Sequence, residues 1–461
     1  MQIQRLFLFS LLTLPVLAQV GGGAGGLGGF GGPAVLGRGA GAGTGQRGGA
    51  DLGISFYAGV LGTYDSGLTG LQLDSNGNLL SSELKGVDAT VGATGSKRLR
   101  RGNFGINYSS HYRYYTGGAV GALRANSFNN FNGTDQVVSL FTSRTLTKRS
   151  SVSSNITGLT TNRGFANIGM LPGLFQNQPN FLSPSGEVFD NRIYFASGTG
   201  EYNYQKTARL SFGASGTGMI TRRTSGLLFG VNSGFANGNI GYRLSRRQTI
   251  SAGYQFIAFG FTRSFGDTFG HGFFAGHSIQ IGRRGQLANQ VGMMRIESLG
   301  LRTVSVDPFI AALIGISSTN EVFYSKTWMP ILNSSFNYRV NRLHSFDLIG
   351  SYGAGPGNGV INTARMTTAG AGYAYSGIRN LGLSVNGFYN RMSSMIGPNQ
   401  IFSMFQLSAS ANRRISSSLF ATVNTGQRKF LNSATNNFRR NSLFVSAGIT
   451  WSPREVPVSI R

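Results

Sequence analysis

The chain has 461 residues, with 41 Lys and Arg against 15 Asp and Glu, a formal charge of +26, 70 glycines and no cysteine. The missing thiols exclude disulfides, thiolate-held metal and a lipoprotein anchor. Charged residues are only 12% of the sequence, about half the share usual in soluble domains, and glycine is about twice its norm; a soluble globule is a poor fit.

Met1 to Arg5 is short and basic, Leu6 to Leu17 is apolar, and Val16-Leu17-Ala18 supplies a small residue before Gln19. This is the layout of a secretory signal, with cleavage expected after Ala18. The alternative, an anchored N-terminal helix, needs about 20 apolar residues. Residues 19–49 are mostly Gly and Ala, cannot bury enough apolar surface to offset their ordering entropy, and read as a flexible tether. No second linker follows, so residues 50–451 read as one large all-β unit and 452–461 as a tail. Beyond the signal the longest apolar run, near Phe309–Ile316, is too short for a transmembrane helix, so a membrane span here would be made of strands.

A short basic turn recurs between zigzag segments: Ser96-Lys97-Arg98, Thr147-Lys148-Arg149, Gln205-Lys206-Thr207, Ser245-Arg246-Arg247, Gly282-Arg283-Arg284, Asn341-Arg342, Gly377-Ile378-Arg379 and Arg413-Arg414. Between consecutive turns lie about 34 to 59 residues, room for one strand rising, a long loop and one strand returning. The expected fold is a transmembrane antiparallel up-and-down β-barrel of 16 to 18 strands. Alternation supports it. Val87, Ala89, Val91 and Ala93 interleave with Asp88, Thr90 and Gly92, and Leu443, Val445, Ala447, Ile449 and Trp451 interleave with Ser442, Ser446 and Thr450. The apolar set is assigned to lipid and the polar set to the lumen. Val137–Leu146 and Leu287–Ile296 are apolar on both faces and leave their facing open. All eleven prolines fall in the signal, the tether, the tail, or expected loops and strand ends, Pro330 and Pro356 among the last group.

The candidate lumen charges are Arg113, Arg209, Arg243 and Arg339, with Glu201 and Asp347 as partners. Acids cluster in the expected long loops, among them Asp65, Asp135, Asp267, Glu297 and Glu321, whereas the short turns are almost purely basic. That predicts a positive lumen and rim favouring anions if the pore is open; the plainer reading is turn cations that are solvated or snorkel at the interface. Leu301–Ile331 reads as a long loop, and its apolar run, with Phe309, Ile310 and Leu313, suggests an inward constriction or plug, the alternative being an external loop with a short helix.

Other chemistry lacks support. The four histidines, His111, His271, His277 and His344, show no metal-ligand spacing, and His271 and His277 read as solvated in or beside one loop. Ser110 and His111 face opposite sides with no acid placed nearby, so no triad is expected, and neither an enzymatic role nor a cofactor. The dispersed basic residues form no nucleic-acid motif.

The periodic basic turns, as in Tyr242-Arg243-Leu244-Ser245-Arg246-Arg247-Gln248, and the closing Trp451-Ser452-Pro453-Arg454-Glu455-Val456-Pro457-Val458 resemble uncharacterised outer-membrane β-barrel proteins of acidobacteria. They are also similar to the wider class of barrel porins, some of which are associated with exopolysaccharide export. The resemblance implies a Gram-negative outer membrane, with its lipid and the barrel-insertion machinery as partners; barrels of this size are often trimeric. It departs at the end, where Trp451 is followed by ten residues instead of closing the chain. Three functional expectations follow: a porin-like passive channel with a preference for anionic solutes, an export conduit for an anionic exopolysaccharide, or a surface-interaction barrel with a closed lumen, whose contact loop would be Gly164–Glu187.

Overall fold

A computed structural model describes residues 52–66, 83–116, 133–161, 192–224, 229–305, 318–341, 343–357, 361–395, 401–432, 438–453 and 456–458. The strands are β1 (Leu52–Asp65), β2 (Leu84–Leu99), β3 (Gly102–Thr116), β4 (Gly133–Thr147), β5 (Ser150–Thr161), β6 (Ile193–Gln205), β7 (Leu210–Arg223), β8 (Gly230–Arg243), β9 (Gln248–Thr262), β10 (Gly266–Ile281), β11 (Gly285–Ser305), β12 (Ser318–Arg339), β13 (His344–Pro356), β14 (Thr363–Tyr375), β15 (Leu381–Ser394), β16 (Ile401–Arg414), β17 (Leu419–Asn432), β18 (Phe438–Trp451) and the short β19 (Val456–Val458). Each of the first eighteen pairs antiparallel with its sequence neighbours, and β1 pairs with β18 from Ala58↔Trp451 to Asp65↔Phe444. The ring is closed at eighteen strands. In the expected tail, β19 returns to pair with Leu52–Ile54 of β1, lengthening the seam below Trp451.

One face of each strand is apolar and exposed. Phe56, Val60, Val87, Val91, Tyr112, Ile156, Ile240, Phe273, Val291, Trp328, Leu348, Phe405, Val423 and Leu443 all point outward, a belt that water would not tolerate over this area and that hydrocarbon requires. Its height is marked by charge. Arg295 stands ten residues above the start of β11, Arg391 ten above that of β15 and Lys429 ten above that of β17. On strands tilted by about 40°, ten residues rise roughly 25 Å, the height of an outer-membrane barrel's apolar band.

The two ambiguous segments now have their facing. Val137, Ser139 and Phe141 look inward while Val138 and Leu140 look out; Met294 and Ile296 look inward while Val291 and Met293 look out. Both strands carry apolar residues inward because the lumen there is packed with side chains.

Four of the short turns share one construction. In the β8–β9 turn the Ser245 hydroxyl accepts from the amides of Arg247 and Gln248, and Arg243 donates through Nε to the Ser245 carbonyl at 3.2 Å. The β16–β17 turn repeats it with Ser416 and Arg414. Thr207 and Asn341 play the serine's part in the β6–β7 and β12–β13 turns. A side-chain oxygen that mimics a backbone acceptor is what Ser, Thr and Asn offer at such positions. The first turn lies further on than expected, at Leu99–Gly102, because β2 runs through Ser96-Lys97-Arg98.

Lumen glycines are covered by neighbouring rings. A Cβ at Gly92, Gly253 or Gly426 would collide with the ring of Tyr57, Phe274 or Phe444, the residue directly opposite or adjacent in register. Part of the glycine excess is therefore a packing requirement, a ring on one strand roofing a glycine on the next. Two expectations are corrected. Pro330 lies inside β12, opposite Met293; it is tolerated because pairing with β13 begins only at Leu332, so there β12 is bonded on one side alone. Asp65, Asp135, Asp267, Glu297 and Glu321 belong to strands, as do His271 and His277 of β10; alternation in the sequence fades near strand tips, where both faces become polar.

Two stability outcomes follow. Ile156→Arg, in the middle of the outer belt, should cost about 2–4 kcal/mol, whereas Asn155→Arg on the lumen face of the same strand should cost little, as read from urea unfolding in lipid vesicles. Gly253→Ala should cost about 1–3 kcal/mol by forcing the Phe274 ring out of place, and a midpoint equal to the parent's would contradict that packing.

Candidate pore and constriction

The inward face differs between the two halves of the barrel. Toward the short turns it is open, with Arg98, Arg243, Asn337, Arg339, Asp347 and Ile349 exposed. Toward the loops it is buried almost everywhere, and buried in two chemically distinct sectors.

One sector is ionic and runs from β17 through β1 to β4. The Arg428 guanidinium binds the Asp65 carboxylate and lies 4.6 Å from the Phe444 ring centroid. Since β18 stands between β17 and β1, this contact ties three strands across the closure of the ring. Next to it Arg113, wholly buried, pairs with Asp135. Arg113 is also the register partner of Asp88, and Asp88 sits 3.4 Å from Nδ1 of His111. Three carboxylates thus face two guanidiniums and an imidazole on a single stretch of wall. Buried ions hold only when they are paired in this way.

The other sector is apolar and rich in methionine, from β9 to β16. Ile257, Phe259, Phe274, Met294, Ile296, Met329, Ile331 and Ala354 form one cluster, and Ile361, Ala364, Met366, Met392, Phe402 and Met404 another. Ala354 is informative. By alternation from Phe346 and Leu348 it belongs to the outer face of β13, yet it is 3% exposed and packs with Met329 and Ile331 of the inner face of β12. The upper end of the β13–β14 hairpin has therefore left the wall and lies inside the barrel.

Two hydrogen bonds fix it there. The Thr363 and Thr268 hydroxyls meet at 2.6 Å, joining β14 to β10 over three intervening strands, and Asn362 donates to the Ser264 hydroxyl at 3.0 Å in the β9–β10 connection. That connection is bent through Arg263 at φ 65°, a conformation uncommon for a residue with a side chain. The hairpin end thus narrows the lumen from one side, facing the ionic sector on the other.

The residues expected to line the pore divide accordingly. Glu201 and Asp347 are on the lumen face; Glu201 accepts from the Ser153 hydroxyl at 3.0 Å, and Asp347 lies diagonal to Arg339 on the adjacent strand. Arg243 and Arg339 stand at the turn-side mouth, Arg243 folded onto its own turn carbonyls. Arg209 is a turn residue and lines nothing, since β7 begins at Leu210. Arg113 is on the lumen face but sealed by Asp135, so its charge is spent within the wall. Phe309, Ile310 and Leu313 lie outside the described residues, as does Gly164–Glu187. Of the expected loop at Leu301–Ile331, the parts 301–305 and 318–331 are strand.

Sequence reasoning missed Asp65 and Arg428 as lumen residues. Asp88 was on the correct face by alternation, but the partners that define the ionic sector are contributed by distant strands. His111 does have acids beside it, contrary to expectation. The Thr90 hydroxyl lies 3.0 Å from Nδ1, the nitrogen that also faces Asp88. Hydroxyl and carboxylate share one nitrogen, whereas a relay needs them on opposite ones.

The chain matches no family model and no curated protein. Among solved structures it is similar to OccK9 (OpdG) of Pseudomonas aeruginosa, with TM-score 0.44 and 11% identity over 89% of this chain and 100% of that one. It is similar also to the FrpB iron transporter of Neisseria meningitidis (F3-3 variant), with TM-score 0.40, 9% identity, 87% of this chain and 81% of that one. The siderophore receptor PirA of Pseudomonas aeruginosa gives TM-score 0.39, 9% identity, 88% and 81%. Each likeness is one of overall fold.

Removing one member of a buried ion pair strands the other. Asp135→Asn should cost about 3–5 kcal/mol, and Arg113→Met in the same chain should recover most of it; additive losses in the double variant, measured by urea unfolding, would contradict the pairing.

Proposed function

We propose that the protein is an outer-membrane diffusion channel whose turn-side mouth favours anionic solutes and whose conductance is limited by the inward β13–β14 hairpin. The observation that carries this reading is the asymmetry of the lumen. Its turn half is open to solvent and carries the exposed cations Arg98, Arg243, Arg339 and Arg414 against the two carboxylates Glu201 and Asp347. Its loop half is narrowed and charge-paired. A barrel of this strand number encloses an aqueous channel unless something fills it, and fixed cations at a mouth raise the local anion concentration.

The pairing in the loop half limits how far the selectivity extends. Arg113 and Arg428 are spent on Asp135 and Asp65, so discrimination falls to the mouth, where screening by salt is strongest. Anion preference is therefore expected to fade as ionic strength rises.

In planar bilayers under a salt gradient the reversal potential should report anion preference, and Arg243→Gln with Arg339→Gln should move it toward zero. Thr363→Val with Asn362→Ala should free the hairpin end and raise single-channel conductance. A folded protein that conducts nothing in either form would overturn the channel reading.

A further inference from the structure

The wall from β5 to β8 belongs to neither the ionic nor the methionine-rich sector. Between Arg243 at the mouth and Arg223 at the loop end, the inward faces of these strands carry one charge, Glu201. At mid-height their side chains stand in register. One row reads Phe141–Asn155–Thr199–Thr217–Phe235, so a ring stands at each end of a polar floor. Four strand spacings separate the rings, roughly 19 Å along the wall. The next row toward the turns is Ser153–Glu201–Ser215–Asn237, and below it Asn203 and Asn239 flank Gly213 on the way to the mouth.

The amides of this wall have no partner. The Oδ1 atoms of Asn155, Asn203, Asn237 and Asn239 are sealed from solvent and accept no hydrogen bond, and none of the four side chains is bonded to another among the described residues. Lumen amides on other walls are paired. Asn333 donates to Gln290 at 3.3 Å, Asn390 to the Thr368 hydroxyl at 3.1 Å and Asn424 to the Ser446 hydroxyl at 3.4 Å, while Asn412 accepts from Thr422 at 2.9 Å. The four unpartnered asparagines are half-buried, so part of each amide reaches the lumen. Each offers two donors and two acceptor sites, and leaving such groups unmatched away from water is costly.

We infer that this wall is a subsite for a neutral polyhydroxylated solute, a short oligosaccharide lying across the strands between Phe141 and Phe235. Adjacent sugar hydroxyls donate and accept as an amide does, so Asn155 and Asn237 each meet a pair of them, and Glu201 between accepts from another. The C–H faces of the terminal pyranose rings pack on the two phenyl rings. A floor without cations gives an inorganic anion nothing to pair with, which separates the subsite from the mouth. The inference rests on the channel reading for access alone, since the solute enters through the open turn half.

The test is isothermal titration of the detergent-solubilised full chain with maltotetraose and with cellotetraose. Glycerol and a polyethylene glycol of equal length are the comparison probes, the first lacking the chain and the second the paired hydroxyls. At least one tetrasaccharide should bind well above both. Asn155→Ala with Asn237→Ala should weaken that binding roughly 10- to 30-fold, two amides' worth of hydrogen bonds, while Asn412→Ala, whose amide Thr422 already engages, leaves it unchanged. Heat-dependent gel mobility will verify that each variant is folded. Binding of neither tetrasaccharide, equal binding of either comparison probe, undiminished binding in the double variant or an equal loss in Asn412→Ala overturns the proposal. Calorimetric binding by a protein that conducts nothing supports the subsite and removes the channel reading, so the two fail separately.

Discussion

Everything in this structure depends on satisfying backbone hydrogen bonds where no water is available. A strand inside hydrocarbon must find partners on both sides, and a sheet achieves that only by closing on itself. Here the closure is β1 against β18, reinforced below by β19 and across the seam by the Arg428–Asp65 contact. The outward apolar belt follows from the same constraint, because a closed ring presents one face to lipid.

Closure also explains where the irregularities sit. Pro330 and the departure of the β13–β14 hairpin from the wall occur together, above Leu332, where β12 no longer pairs with β13. At the belt's upper edge water can replace a missing strand partner, so the wall can spare one there. The hairpin then exchanges lipid contact for the methionine-rich inner surface. Methionine suits that surface because a flexible side chain fills the irregular gap between two sheet layers that were not built in register.

Much of the architecture was legible in the chain. The eight basic turns and the two-residue alternation at Val87–Ala93 and Leu443–Trp451 carry strand number and facing, because both are local properties. The site was less legible. Arg113 has the correct parity, but nothing local reveals that Asp135 neutralises it. Asp65 looks like a loop residue until Arg428 meets it from the far end of the chain. The apolar run at Phe309–Leu313 lies outside the described residues; the narrowing among the described residues comes from the β13–β14 hairpin, whose sequence, Gly353-Ala354-Gly355-Pro356-Gly357, is inconspicuous. Small residues are what an overlapped pair of sheet layers needs, and they leave little pattern.

Ring closure can be tested directly because the chain has no cysteine of its own. Thr63 and Ser446 are register partners on the lumen face of the β1–β18 seam. A Thr63→Cys, Ser446→Cys variant should cross-link nearly completely on mild oxidation in vesicles, with a shifted gel mobility, while Thr63→Cys with Ser442→Cys should not. Failure of the first pair to cross-link in a folded, membrane-inserted protein, or equal linkage of the second, would contradict the closed eighteen-strand barrel.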